Sequence, residues 1–575
     1  MQVADFIADY LQKQGVSYVY EVIGGMITRL VDAIHRQGRI RLISVHHEQA
    51  AAFAADAMGR LTGVPGVALA TSGPGAINLL TGIGSCYFDS VPAVFITGQV
   101  NRKEQKVDRQ IRQLGFQETD IVVMAQSITK AAWQVNDPDQ VPHFLQEAFN
   151  LAVSGRPGPV LLDIPMDVQG AEISAVPSVA PTMETSPALS SELLEDLLRE
   201  LGAAQRPLIL AGGGICSANA IPLLRRLVDI VRVPVVNSLL AVDALPYQHP
   251  LRVGLIGTYG NRWVNLAVGR SDLILVLGSR LDIRQTGSAA SAFKADRVIW
   301  HVDIDAGEIN NRLQGCKPII AHLHPFLTGL ADAASKQHWP DRIDWISEIQ
   351  GLRKQWPDTN ETQPPGINPN VFMHELARAS GQASAFAVDV GNNQMWAAQS
   401  LELDEHQRFL TSGGLGAMGF ALPAAIGASL ATGMPVVMIA GDGGMQLNIQ
   451  ELQTIAHHRL PIKMVVLNNQ SLGMVRQFQQ SYFEERYPST WWGYSAPDFC
   501  AVARAYGIES LTVADANSLP AALGKMWADS RQPFLLQVSI DVSANVYPKI
   551  AFGHPLTGME PFVKPLPIKS IADRV

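Results

Sequence analysis

The sequence predicts an α/β protein of three doubly wound α/β domains with mainly parallel sheets, and three observations predict it. The chain of 575 residues is too long for one core, and domains of roughly 150 residues suggest three or four. Apolar runs of strand length alternate throughout with stretches of helical periodicity, as parallel sheets crossed by helices require. Two polar, proline-rich stretches interrupt that alternation and read as linkers: "SAVPSVAPTMETSPALSS" (174–191) and "KQWPDTNETQPPGINP" (354–369). The expected boundaries are 1–173, 192–335 and 366–550, with a C-terminal tail at 551–575. The first and third blocks could share one fold.

Element by element, "MQVADFIADYLQKQG" is an amphipathic helix carrying acids, unlike a signal peptide. In "LISVHHEQAAAFAADAMGRLTG" (42–63) an apolar strand ends at Glu48 and a helix of small residues follows. In the second block, "RPLILAGGGICSA" (206–218) runs from a strand through Gly212, Gly213 and Gly214 into a helix, but lacks GxGxxG. In the third, "FALPAAIGASLATGMPVVMIAG" is interrupted by Pro423, Gly427, Gly433 and Pro435, so it reads as a buried helix and a strand, not a membrane span. Then "GDGGMQLNIQELQTIAHHRLPIKMVVLNN" (441–469) follows. Its flanking apolar runs read as parallel strands, and Met445, Ile449, Leu452 and Ala456 recur at helical spacing between them.

Asp442 and Asn469 thus end neighbouring strands, where open parallel sheets bind ligands. A carboxylate and an amide oxygen make a hard donor set of low charge, suited to Mg²⁺ or Ca²⁺ held jointly with phosphates. Gly441, Gly443 and Gly444 allow backbone N–H groups to approach such phosphates. The composition, 47% hydrophobic and 17% charged, is that of a globular enzyme. A net charge of −8 without a basic block excludes a nucleic-acid footprint. The four cysteines lie far apart without CxxC spacing, which fits a reducing cytoplasm and no structural zinc.

GDG, 24 residues and NN resemble the thiamine diphosphate motif of the acetolactate synthase and pyruvate oxidase superfamily. That resemblance implies thiamine-diphosphate-binding domains at both ends of the chain and a Rossmann-like, FAD-binding centre. It implies Mg²⁺ held by Asp442, Asn469 and the Ser471 carbonyl. "VGNNQMWAAQ" (390–399) is similar to the diphosphate loop, giving Gly391, Asn392, Asn393 and Gln394; the family usually has Gln-His at the two asparagines. "TSGGLGAMGFALPAAIGA" (411–428) is similar throughout, with Met418 as the wedge that folds the cofactor and Gly416 beside its aminopyrimidine. Gly473 and Met474 complete the cofactor set. The stretches 46–62 and 70–83 resemble the pyrimidine-binding domain, with Pro74 and Asn78 as contacts. Glu48 would there hydrogen-bond the pyrimidine N1′ and favour its imino tautomer. His46 and His47 read as structural.

"DLILVLGSRLDIRQTG" (272–287), "VIWHVDIDAGEI" (298–309) and "SGRPGPVLLDIP" (154–165) resemble flavin-binding segments, where FAD takes no part in net redox. They nominate Arg156, Gly278, Arg280, Asp282, Arg284, Asp303 and Asp305, with the three glycines at 212–214. A family aspartate is Ile283 here. No His-His pair occurs between Gln99 and Ser127, unlike the pyruvate decarboxylases. "ITGQVNRK" and "LGFQETDIVVMAQSITK" resemble carboligases instead, with Gln99, Phe116 and Gln117 in the pocket. Pyruvate would be decarboxylated and its two-carbon unit added to an acceptor. The pocket residues Arg284, Met166 and Phe478 bear on which acceptor, since the family usually has lysine and tryptophan at the latter two. The tail "FGHPLTGMEPF" resembles enzymes of surface-polysaccharide clusters that act on the keto group of a nucleotide-bound deoxysugar. A second pyruvate, giving 2-acetolactate, and a pyruvate oxidase or cyclic-diketone hydrolase remain alternatives. Sites between subunits imply a homodimer or homotetramer.

Overall fold

Short apolar runs rich in Val, Ile and Leu form strands buried on both faces, so they assemble into parallel sheets covered by helices on either side. The computed structural model describes residues 1–107, 109–174 and 191–567, and almost all of the first expected linker lies outside them. The first sheet contains β1 (Tyr18–Val22), β2 (Arg41–Ser44), β3 (Gly66–Ala70), β4 (Ala93–Gln99), β5 (Ala131–Gln134) and β6 (Pro159–Pro165). The second contains β7 (Pro207–Ala211), β8 (Val235–Asn237), β9 (Arg252–Leu255), β10 (Leu273–Leu277), β11 (Val298–Asp303) and β12 (Lys317–Ile320). The third contains β13 (Ala385–Val388), β14 (Arg408–Leu410), β15 (Val436–Gly441), β16 (Ile462–Asn468), β17 (Glu509–Val513) and β18 (Phe534–Ser539).

The first and third sheets are wired identically, β2-β1-β3-β4-β6-β5 and β14-β13-β15-β16-β18-β17. The central sheet runs β12-β11-β10-β7-β8-β9, which read from its other edge is the Rossmann order 3-2-1-4-5-6. The outer domains meet through the helices Glu48–Thr62 and Ala421–Thr432, which share one apolar cluster with both outer sheets. Their faces are built from alanine and glycine, so the backbones lie close. A Cβ on Gly427 would stand 2.2 Å from the Ala54 carbonyl oxygen.

Three expectations need correction. The segment after β15 is not one helix: Asp442–Leu447 and Leu452–His458 are separated at Asn448, which leaves helical backbone (φ −130°, ψ 28°). Its Nδ2 donates to the Gly419 carbonyl (2.8 Å) and to Gln49 Oε1 (3.1 Å), partners that a continuous helix would not face. The stretch 354–369 is also not a solvated linker. Asp358 accepts from His374 Nε2 (2.9 Å), and Glu361 forms a two-pronged pair with Arg262 (2.7 Å each). All four residues are buried. Arg262 also donates to the Glu560 carbonyl (2.9 Å) and lies 4.7 Å from the centroid of the Phe562 ring. It therefore ties this connection and the tail to the central domain. The tail itself is a small antiparallel hairpin, β19 (Lys549–Ile550) and β20 (Met559–Glu560), so the expected boundary at 550 falls inside a unit.

Breaking a buried ion pair strands one charge, which costs about 3–5 kcal/mol. Glu361→Ala is expected to lower the denaturation midpoint accordingly and to expose the tail to trypsin. Replacing both partners by apolar residues should recover most of the loss; an unchanged midpoint in the single variant would count against the tie.

Candidate functional site

The register of the third sheet sets the site. Gly441 pairs with Leu467, so the residues just beyond, Asp442 and Asn469, emerge side by side from adjacent strands. Asp442 Oδ2 and Asn469 Oδ1 accept from the same Ser471 N–H, each at 3.2 Å. Asp442 Oδ1 accepts from the Gly443 N–H (3.0 Å). Burial raises the Asp442 carboxyl to about 6 against these donors. Two oxygens turned toward each other and sharing one donor are under-satisfied, and a hard cation would satisfy them.

One side of the crevice is lined by the N-terminus of the helix Asn392–Ser400. Gly391 sits at φ +145°, and a Cβ there would stand 2.7 Å from Asn393 Oδ1. Asn393 Nδ2 donates to the Asp389 carbonyl (2.6 Å), and Gln394 Nε2 donates to Thr411 Oγ1 (2.7 Å). Asn392 Oδ1 is buried and has no hydrogen-bond partner among the described residues, an orphan acceptor at the crevice. Gly473 faces this group: a Cβ would meet Asn392 Nδ2 at 2.5 Å and Asn469 Nδ2 at 2.9 Å. Met474 follows on the same helix. The two sheet-three loops, the glycines and the oxygen pair therefore do converge on one crevice.

The loop 411–420 is held from both outer domains. Asp89 accepts from Gly413 N–H (2.9 Å) and Gly414 N–H (2.7 Å), and also from Arg60 Nη2 (2.8 Å). Asp389 accepts from Gly419 N–H (3.0 Å) and Ala421 N–H (2.8 Å); burial raises its carboxyl to about 6. Gly416 adopts φ +70°. Met418 reaches toward Gly443, its Cε 3.3 Å from where a Cβ would stand. Sequence reasoning missed Asp389, although the strand-end rule that found Asp442 applies to it as well. It also missed Tyr494, whose Oη accepts from Gln446 Nε2 (3.4 Å). Burial, and then the Asp442 charge, push that phenol above its ordinary value. Nothing local in the sequence marks Tyr494.

On the first domain, Glu48 opens its helix rather than ending a strand, since β2 stops at Ser44. Glu48 Oε2 accepts from Asn78 Nδ2 (2.9 Å), with Pro74 at the head of the Asn78 helix. His47 caps the Glu48 helix by accepting from the Gln49 N–H (3.1 Å), and the His46 N–H donates to Glu451 Oε1 (2.9 Å). Both histidines are structural. Gln117 sits at φ +65° and packs on Gly73. Phe116, on the same loop, is 79% exposed. Gln99 is buried, and its Nε2 donates to the Thr119 carbonyl and Asp163 Oδ2, each at 2.9 Å, so its amide helps to hold that loop. Among the described residues no hydrogen bond, ion pair or ring contact joins Glu48, Phe116 or Gln117 to the Asp442 crevice.

A cavity of about 450 Å³ lies at the point where the central sheet reverses its winding, between β7 and β10. It is bordered by Gly213, Gly214, Gly278, Arg280, Asp282, Arg284, Asp303 and Arg156, and by Gly413 of the third domain. Gly212 and Asp305 stand outside its wall. A Cβ on Gly212 would stand 2.1 Å from the Gly278 carbonyl oxygen, so this glycine serves close packing. Asp305 faces Arg156 Nη1 (3.4 Å). Asp282 caps the short helix after β10, accepting from the Arg284 and Gln285 N–H groups. Arg284 and Phe478 are linked through the tail. Thr258 N–H donates to the Arg284 carbonyl (2.6 Å), Ile550 N–H donates to the Thr258 carbonyl (2.7 Å), and Phe552 meets Tyr482, the ring neighbour of Phe478. Met166, after β6, lies on the first domain apart from both.

Residues 1–124 match the thiamine pyrophosphate enzyme, N-terminal TPP binding domain. Residues 194–330 match the central domain and 389–538 the C-terminal TPP binding domain of the same enzymes. The acetolactate synthase isozyme 2 large subunit of Escherichia coli is 36% identical over 96% of this chain and 98% of its own length. The acetolactate synthase large subunit of Lactococcus lactis is also 36% identical, over 96% and 94%. Acetolactate synthase 2 of Nicotiana tabacum is 38% identical over 96% and 84%. Matched in three successive domains and along almost all of its length, the chain belongs to the thiamine-diphosphate-dependent, acetolactate synthase-like superfamily.

Proposed function

We propose that this carboligase decarboxylates pyruvate and adds the two-carbon unit to a neutral ketone, of which the keto group of a nucleotide-bound deoxysugar is one example. The observation that carries the reading is the oxygen pair of Asp442 and Asn469 on a single N–H, beside the unpartnered Asn392 oxygen. This donor set fits Mg²⁺ and a diphosphate. Thiamine diphosphate, when bound, supplies the nucleophilic carbon and the electron sink that cleavage of a 2-oxo acid needs. Asp442, Asn469 and the Ser471 carbonyl would hold the cation, and the N–H groups at Gly443 and Gly444 the phosphate oxygens. Met418 would press on the middle of the cofactor from an apolar side. Glu48 would share a proton with the pyrimidine N1′, an acid–base role for which its buried carboxylate beside Asn78 is suited.

Glu48 and the Asp442 crevice do not meet within one chain, and Phe116 and Val123 are strongly exposed on the Glu48 side. Both facts support a homodimer, or a homotetramer built from two such dimers, that brings one chain's Glu48 to another's crevice. The central cavity has the winding, the glycine-lined close approach and the size (pockets run ~300–1,000 Å³) for a flavin dinucleotide. We infer FAD there, without net redox.

Among acceptors, a second pyruvate would bring a carboxylate into a partly dry pocket. Arg284 alone would pair with it, because Met166 carries no charge. Phe478 is half exposed and leaves room for a larger apolar partner. The names of the relatives favour the second reading, a plain acetolactate synthase.

Three outcomes test these assignments. Glu48→Gln should keep fold and cofactor while pyruvate turnover drops roughly 100-fold or more; undiminished turnover would remove Glu48 from the chemistry. The Asp442 carboxyl is raised to about 6, so a proton competes with the cation as pH falls through that value, and the competition is absent above it. Cofactor affinity measured by calorimetry should therefore be flat above neutrality and fall below about pH 6. Asp442→Asn should weaken affinity at least tenfold and flatten the profile. Finally, with pyruvate fixed and a cyclic ketone raised, tertiary alcohol should replace acetolactate, and Phe478→Trp should shift product back. Acetolactate as the sole product at every ketone concentration would establish the second reading.

A further inference from the structure

A smaller cavity of about 200 Å³ lies at the other end of β9 from the large one. Arg252 opens that strand and borders the small cavity, whereas Leu255 at the strand's end borders the large one. Arg353, His249, Tyr247 and Gln350 line it too, and among the described residues no aspartate or glutamate does.

Arg252 is only 8% exposed, and among the described residues its guanidinium has no hydrogen-bond or ion-pair partner. It lies 5.2 Å from the centroid of the Tyr247 ring. Arg353 lies 5.0 Å from the same centroid and donates to Tyr247 Oη (2.5 Å), its only hydrogen bond through the side chain among the described residues. His249 Nδ1 accepts from the Leu251 N–H (3.2 Å), and its Nε2 faces Asp229 (3.4 Å). Besides Asp229, two acids act on Tyr247 through their charge, and both are already engaged. Asp358 is bound by His374 and Ser400, and Glu402 by His374 and Arg378. Burial, and then the Arg353 charge, hold the Arg252 guanidinium down to about 10.

Two guanidinium groups line one hollow that no carboxylate lines among the described residues, so their like charges repel, and an anion entering between them would relieve both. The planar fork of arginine matches the oxygens of phosphate and carboxylate groups. The volume admits one such group with a few further atoms and excludes a nucleotide. We propose that this hollow is an oxyanion site, separate from the cofactor crevice, that takes the phosphoryl or carboxylate group of a small metabolite through Arg252 and Arg353.

The site lies where the central domain meets the third. Tyr247 N–H donates to the Leu403 carbonyl (2.8 Å), and its ring meets His374 edge-on at 5.9 Å. Occupancy therefore bears on the junction of the two domains.

The test is calorimetric titration of the enzyme, presaturated with thiamine diphosphate and Mg²⁺ so that the crevice is filled, with inorganic phosphate and separately with malonate. Wild-type protein should bind at least one of them at a single site, and Arg252→Gln or Arg353→Gln should weaken that binding at least tenfold. Binding of phosphate alone assigns a phosphoryl ligand and of malonate alone a carboxylate. Arg252→Gln should also unfold at a higher temperature than wild type in anion-free buffer, because it removes an unpaired buried charge, and phosphate or malonate should no longer shift its unfolding. Absence of binding to the wild-type protein overturns the proposal without recourse to any variant. So does binding that both substitutions leave unchanged.

Discussion

The approach of the helices Glu48–Thr62 and Ala421–Thr432 is the constraint on which the rest of the molecule depends. Each carries part of the site at its N-terminal end: Glu48 opens one, and the Met418 loop leads into the other. Their separation is set by the smallest side chains, Ala54 against Gly427, and the Pro74–Asp89 helix packs on the first of them in the same way, Ala52 against Gly82. A methyl group added at either glycine would force backbone apart, because interiors this dense have no slack to absorb it. Around that contact the polar links are arranged as braces. Asp89 reaches from the first domain to the loop at Gly413 and Gly414, and Asn448 joins Gln49 to the Gly419 carbonyl.

The crevice built on this frame is electrostatically unfinished. Asp442 and Asp389 are both buried at strand ends, and burial raises both. They are resolved differently. Asp389 meets two backbone N–H groups and so acts as a fixed strut for the loop. Asp442 shares one of its two donors with Asn469 and carries its charge close to Tyr494, so its oxygens are less fully satisfied. Two chemically identical residues at equivalent places thus differ in one respect: both donors of Asp389 are its own, whereas one donor of Asp442 is shared with a second acceptor.

What could be read from the sequence follows from which interactions are local. Strand ends, the GDG turn and the NN pair lie within one strand–helix–strand unit, so their spacing alone brings Asp442 and Asn469 together. The helix break at Asn448 was not legible, because its cause is Gln49, 399 positions away. The stretch around Asp358 and Glu361 reads as a solvated linker for the same reason; their partners His374 and Arg262 cannot be found from a window of neighbouring residues. Gln99 follows the apolar run of β4 and resembles a pocket residue, and Asp163 on the adjacent strand β6 accepts from its amide. Burial of the acids and the unpaired state of Arg252 are properties of the packed interior, invisible to composition and periodicity.

The link between His46 and Glu451 spans 405 positions. At a synthesis rate of roughly 5–20 residues per second, the first domain waits on the order of tens of seconds before its packing partner has left the ribosome. Throughout that interval the outer face of the Glu48–Thr62 helix is bare. An alanine-rich surface offers far less adhesive area per residue than one of leucine or phenylalanine, and Phe53, which later meets Phe420, is the one phenylalanine on this helix. The small side chains that let the two domains close tightly also make the early half safe to wait alone.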